Sequence, residues 1–380
     1  MHQRFHLYRW LLLACAAALL TTPGLLAAPA PTPETARGAE PTDPDAIAID
    51  RRLTEAAAEG LDGVILVRHR DRVLLHRAYG WRDREAGQAM TVEVGFDVGS
   101  LVKPITAVGV LLLDQRGELA IERPLSGFFP EAPEDKASIT VEQLLRHTSG
   151  LRDTFAGDYR VVSRDWLLER AMGSELLGPP GEEERYSNTG YSLLAMIIED
   201  TTGTAYEDWI REHVLAPAGA ERIGYRGGGW TPERLAVGTG RAGRRWGTPL
   251  DHAWAEDGPS WTLRGNGGML ATAEQMSAWY RGLIAGKILD GEALARFVEA
   301  DGGESRAVGG RVFGHAGGNG IFNSLQISYL DHDLHMTFFT SSARHKAEDL
   351  WPEFREQVFA IARRDSGAGP SAGSVPGGAR

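Results

Sequence analysis

The stretch Gly95-Phe96-Asp97-Val98-Gly99-Ser100-Leu101-Val102-Lys103-Pro104 sets a hydroxyl and an amine three residues apart. If the chain turns helical at Ser100, that spacing puts both groups on one face within about one turn, close enough for the amine to take the hydroxyl proton. The choice of cation matters, because the chain holds 36 Arg and only 4 Lys. A desolvated lysine can give up its proton, whereas a guanidinium stays charged. With 18 Ser and 4 Lys in 380 residues, a Ser-x-x-Lys match arises by chance roughly 0.2 times per chain of this composition. The rest of the sequence has to decide what it means.

The N-terminus reads as an export signal over residues 1–28: Arg4 and Arg9 make a positive start, residues 10–20 an apolar stretch, and Ala27-Ala28 a small-residue end. Leu12-Leu13-Ala14-Cys15 resembles a lipobox, but the apolar run continues past Cys15 to Leu26, so the lipid-anchor reading is the weaker one. The expected location is the periplasm or the medium. Cys15 is the only cysteine, so a processed chain would have no disulfide and no cysteine metal site. Residues 29–46, rich in Pro, Thr and Glu, read as a disordered linker, and the Gly/Ser/Pro-rich residues 364–380 as a disordered tail. Residues 47–363 are then long enough for one large domain or two fused lobes. The formal net charge is -11 with no Lys/Arg-rich block, which argues against nucleic acid and anionic membrane surfaces as partners. A small-molecule or peptide substrate fits better, with a monomer expected. After the signal, no apolar run approaches the length of a membrane span.

Residues 63–68 and 73–79 read as two strands joined by a polar turn, and residues 322–329 and 334–340 as a second hairpin. Between them the spacing predicts helices over 101–115, 141–147, 164–172, 191–202, 206–215 and 273–284, and residues 351–363 close the chain as an amphipathic helix. Strands at both ends with helices between them suggest an α+β fold: an antiparallel sheet flanked by helices, with a mainly helical lobe inserted. The sheet lobe would come from residues 47–100 and 265–363, the helical lobe from about 101–264. Gly227-Gly228-Gly229 and Gly302-Gly303 lack the context of a phosphate loop and read as turns.

Two further stretches carry polar chemistry. Tyr186-Ser187-Asn188 follows a Pro-Pro-Gly loop and precedes a helix. Its phenol and amide, two residues apart, point the same way in an extended loop, as a proton relay and a donor to a substrate carbonyl. The alternative use is a helix cap by Ser187 or Asn188. His315-Ala316-Gly317-Gly318-Asn319-Gly320 lies just before a predicted strand, where small residues let a substrate approach backbone N–H groups. The alternative there is a glycine-rich turn with a surface histidine. His147-Thr148-Ser149-Gly150-Leu151 reads as a helix end with a glycine in the C-cap region. Trp246, Trp254, Trp261 and Tyr225 are candidates for lining an apolar acyl pocket or for the core. His332 and His335 have no third ligand in view for zinc, and His252 is unassigned.

Taken together, Ser100-x-x-Lys103, Tyr186-x-Asn188 and His315-x-Gly317 resemble, in order and spacing, the three motifs of the serine β-lactamase-related superfamily. That group includes class C β-lactamases, penicillin-binding DD-peptidases, D-aminopeptidases and related esterases. Residues 147–151 and 267–272 with Trp279 are also similar to what its members carry, and the resemblance runs from about residue 47 to 362. It implies an antiparallel sheet built from both chain ends with a helical lobe inserted. It further implies Ser100 as the acyl-accepting nucleophile, Lys103 as base with Tyr186, and Asn188 as an orienting group. The oxyanion hole would be formed by the backbone N–H groups of Ser100 and Gly318, and no cofactor or metal is implied. The departure is His315, where β-lactamases and DD-peptidases of the group usually carry lysine. Histidine, with an ordinary pKa of about 6.5, is no permanent cation. Losing one charge-assisted hydrogen bond to a substrate carboxylate would cost about 1.5 to 3 kcal/mol, or roughly 10- to 150-fold in affinity. The expectation is therefore an esterase or D-amino-acid peptidase. A β-lactamase or DD-carboxypeptidase, and an inactive envelope-peptide sensor, are the alternatives.

Overall fold

The computed structural model describes residues 38–225, 228–252, 258–300, 305–307 and 310–364. The expected signal, Cys15, the first half of the linker, Trp254 and all of the tail except Arg364 lie outside the described residues.

Strands β1 (Gly63–His69) and β2 (Arg72–Tyr79) pair antiparallel across Arg70-Asp71, where Arg70 adopts φ 52°. Strands β3 (Ser305–Ala307), β4 (Gly310–Gly318), β5 (Asn323–Tyr329) and β6 (Leu334–Thr340) complete one six-stranded antiparallel sheet of order β2-β1-β6-β5-β4-β3. The join between the two ends of the chain is β1 against β6, in register from Gly63 opposite Thr340 to His69 opposite Leu334.

The central strands β1, β5 and β6 are buried on both faces. Along β1 the side chains alternate: Ile65 and Val67 enter one apolar cluster, Val64 and Leu66 the other. Helices α1 (Pro44–Ala58) and α7 (Ala347–Arg364) cover the first face and pack on each other, setting Ile49, Leu53, Phe354 and Val358 against Met336 and Phe338. The chain between the two strand sets supplies α2 (Val102–Gln115), α3 (Arg164–Gly173) and α4 (Asn188–Thr202). α5 (Ala273–Ile284) packs on β1 and β6 from the second side, and α6 (Gly291–Ala300) packs against α2. No helix among the described residues is long and apolar enough to cross a membrane.

The sequence reading needs four corrections. Helix α1 was not foreseen and begins at Pro44, inside the stretch expected to be linker, because the Asp43 carboxylate caps the N–H groups of Asp45 and Ala46. The His315 stretch does precede a strand, β5, but it is also the end of a strand that was not expected, β4, paired with β5 from Val312 to Gly318. Helix α6 was not foreseen. The helix expected over 206–215 is α-helical from Tyr206 to Ile210 and continues as a wider π turn from Arg211 to Leu215.

Candidate active site

Ser100 sits in a single 3-10 turn, Gly99–Leu101, that runs straight into α2, so the helical spacing expected of Ser100 and Lys103 is realised. Lys103 Nζ lies 3.2 Å from Ser100 Oγ. It also donates to Asn188 Oδ1 at 2.6 Å and to the backbone carbonyl of Asn266 at 2.8 Å. Tyr186 closes the group, with its hydroxyl 2.7 Å from Ser100 Oγ and its ring under the amine at 4.7 Å. Four residues singled out from the sequence therefore meet in one hydrogen-bonded set.

Lys103 is 4 % exposed. Burial lowers its pKa to about 7, against the opposing pull of Asp153 and Asp158. A neutral amine has two N–H donors and one lone pair. Asn188 and Asn266 take the donors, which leaves the lone pair for the Ser100 proton. The Tyr186 ring is half exposed, but its phenol pKa is raised, chiefly by burial and then by Asp153 and Asp158, so it stays protonated at neutral pH.

The loop carrying Tyr186 is set by α4. Ser187 caps that helix through Gly190 N–H at 2.9 Å, so the capping reading and the site reading of this stretch both hold, on neighbouring residues. Asp153 accepts from Asn188 at both its backbone N–H, 3.0 Å, and its side-chain amide, 2.9 Å. That double bond turns the Asn188 carbonyl oxygen toward Lys103. His147, read as structural, stacks on Tyr186 at 4.7 Å, and its Nδ1 accepts the Ser187 N–H at 3.1 Å. Burial and then Lys103 lower the His147 pKa to about 4, which keeps that acceptor neutral.

Strand β4 reaches the Gly99–Leu101 turn by backbone contact. A Cβ on Gly317 would sit 2.7 Å from Ser100 N and closer still to the Val98 carbonyl, and one on Gly99 would strike Gly318 N. Gly99 has φ 52°, a conformation glycine adopts without strain. His315 lies on the same face of β4 as Gly317 and contacts α5, with Nδ1 3.0 Å from Tyr280 OH. Tyr225 and Trp261 belong to the apolar core rather than to a pocket. Trp246 stacks on His252 at 3.6 Å between ring centroids, and both rings approach Tyr159.

The sequence reading gave no role to Asp153, to Asn266, or to the group of Asp97, Tyr159 and Asn319. Asp97 and Asn319 stand inside the two quoted motifs, and that position was their only signal. Asn266 acts through a carbonyl, which no side-chain pattern encodes.

The sequence model of the Beta-lactamase family matches residues 49–358. The chain is 32 % identical over 182 residues to penicillin-binding protein 4* of Bacillus subtilis (strain 168), covering 46 % of this chain and 40 % of that protein. It is 33 % identical over 208 residues to esterase EstB of Burkholderia gladioli, covering 50 % of each. The chain thus spans about half the length, or less, of these curated relatives. Among solved structures, the D-amino acid amidase of Ochrobactrum anthropi SV3 superposes with TM-score 0.68 at 24 % identity, over 85 % of this chain and 100 % of that one. The octameric penicillin-binding protein homologue of Pyrococcus abyssi gives 0.67 at 20 % identity, over 84 % and 77 %. At these identities the two superpositions speak for the fold. The family match over most of the chain, joined to this fold, makes the chain a member of the Beta-lactamase family, the serine β-lactamase-related superfamily that the three motifs resemble.

Proposed function

We propose that this chain is an exported hydrolase that forms an acyl-enzyme on Ser100 and cleaves an ester or an amide of esterase or D-amino-acid peptidase type. The observation that carries the proposal is the Lys103 amine, buried, lowered to about pKa 7 and 3.2 Å from Ser100 Oγ.

In the first half, Ser100 Oγ attacks the substrate carbonyl while its proton passes to the Lys103 lone pair. The oxyanion gathers hydrogen bonds from the backbone N–H groups of Ser100 and Gly318. Collapse expels the alcohol or amine, which takes the proton back through Tyr186. Water then repeats the sequence on the ester carbonyl and frees the acid. Asn188 orients the substrate with the amide hydrogen that Asp153 leaves over. The residue at 315 weighs against β-lactams and peptide C-termini, since a histidine anchored to Tyr280 stands where a permanent cation would attract a carboxylate. Resemblance to penicillin-binding protein 4* keeps that second reading open. The assembled trio of Ser100, Lys103 and Tyr186 weighs against an inactive sensor. Export rests on residues 1–28 of the sequence.

The test is hydrolysis of p-nitrophenyl butyrate, nitrocefin and D-Ala-p-nitroanilide by wild type and Ser100→Ala. The expected outcome is Ser100-dependent turnover of the ester or the D-Ala anilide well above that of nitrocefin. Efficient nitrocefin turnover would favour the β-lactamase reading. Absence of turnover with all three, together with no labelling by a fluorophosphonate, would sink the enzyme assignment.

A further inference from the structure

We propose that Asp97 is a positioning residue for the oxyanion hole, setting the separation of the Ser100 and Gly318 amides by clamping the residue beside each. The inference rests on the reading of Ser100 as nucleophile. The Asp97 carboxylate is buried and accepts three hydrogen bonds: from Gly99 N–H at 2.8 Å, Tyr159 OH at 2.7 Å and Asn319 Nδ2 at 3.0 Å. Gly99 directly precedes Ser100, and Asn319 directly follows Gly318. One carboxylate therefore grips both sides of the hole.

Asn319 completes the clamp. Its Oδ1 accepts the N–H groups of Ile321 at 3.0 Å and Phe322 at 2.9 Å, closing the turn after β4, and its Nδ2 also donates to Tyr159 OH at 3.1 Å. Tyr159 belongs to the loop that also carries Asp153, the anchor of Asn188, so the clamp joins the hole to the substrate-orienting side of the site.

The donors to Asp97 are all neutral. Among the described residues, the titratable groups that bear on it are Tyr159 and Asp158, and neither supplies a positive charge. Burial accordingly pushes its pKa up to about 6. A protonated Asp97 has to place a hydrogen where the anion accepts one, and the clamp loses a bond. Acid then widens the hole without touching Ser100 or Lys103.

The experiment follows p-nitrophenyl butyrate hydrolysis by wild type, Ser100→Ala, Asp97→Asn, Tyr159→Phe and the double swap Asp97→Asn with Asn319→Asp, each with its melting temperature. Asp97→Asn is expected to lower kcat about 10- to 100-fold with KM little changed, short of the loss seen when a whole donor is deleted. The swap moves the carboxylate to position 319 and keeps a donor opposite every acceptor, so it is expected to recover most of kcat. In wild type, log kcat/KM falls with a slope of one below about pH 7 as Lys103 protonates, and of two below about pH 6 as Asp97 joins it. Asp97→Asn keeps a slope of one, and Tyr159→Phe, lacking a donor to the carboxylate, moves the second break to higher pH.

The inference is overturned, with the Ser100 reading intact, by any of three results from folded protein. These are wild-type kcat in Asp97→Asn, a slope of two surviving in that variant, or a swap no faster than the single variant. Full hydrolysis by Ser100→Ala removes the nucleophile reading and this inference with it.

Discussion

Lys103 shows how far a single residue can be read before a structure exists. Its identity was legible because the chain spends so few lysines, and its distance to Ser100 followed from helical spacing alone. Its protonation state was not legible, since that depends on burial and on acceptors 85 and 163 residues away, Asn188 and Asn266. The three oxygens around Nζ, two carbonyl acceptors and the Ser100 hydroxyl, fit a small amine, whereas a guanidinium stays charged and brings a planar fork. Lys103→Arg is therefore expected to lower kcat by about 10³-fold or more, read from steady-state ester hydrolysis at a pH where the variant is folded. In wild type the base must be neutral, so kcat/KM should rise with pH to a plateau above about 7, the pKa to which burial lowers this amine. A profile already flat at pH 5 would remove Lys103 as the base. Asp97 and Asp153 stayed silent in the sequence because their partners come from distant segments; Asp97 meets Asn319 across 222 residues.

At the scale of elements, most strands and helices with apolar periodicity were legible, α1 and α6 were not, and neither was β4, the strand that reaches the Ser100 turn. Its glycines erase the alternation by which a strand is recognised, and the reason for them is visible only in three dimensions. Gly317 has the Val98 carbonyl, Ser100 N and the Ser324 hydroxyl where a Cβ would go. Gly317→Ala has to push β4 off the Gly99–Leu101 turn, at a cost of about 1 to 3 kcal/mol in stability. It should lose more activity than that destabilisation explains, because the displaced atoms include the Ser100 amide. Denaturant titration beside kcat on the folded protein separates the two effects. Gly320, by contrast, has open space where a Cβ would go.

Over the whole molecule, the division of labour between the two sheet faces is firm. The candidate site lies at the end of the sheet where β4 meets the Gly99–Leu101 turn, while α1 and α7 seal the first face with side chains that contribute nothing to it. Phe354, 1 % exposed beneath that helix pair, is expected to cost about 3 to 5 kcal/mol on truncation to alanine. The kcat of the protein that remains folded should not change, and a melting curve measured alongside activity checks both statements. The ring of α+β elements was legible because both hairpins lie near the ends of the chain. Their closure was not, since nothing local in residues 63–69 names residues 334–340 as partners. That closure makes the start and finish of the fold neighbours: Arg364 Nη2 lies 2.7 Å from Asp43 Oδ2. A short linker joining those ends, with a new opening at the exposed Gly243 turn, gives a circular permutant in which β3 to β6 run on through α7 and α1 into β1 and β2. The central pairing then becomes local in sequence, so its loop-closure penalty falls, and the permutant should refold faster than the parent in stopped-flow experiments while keeping its active site.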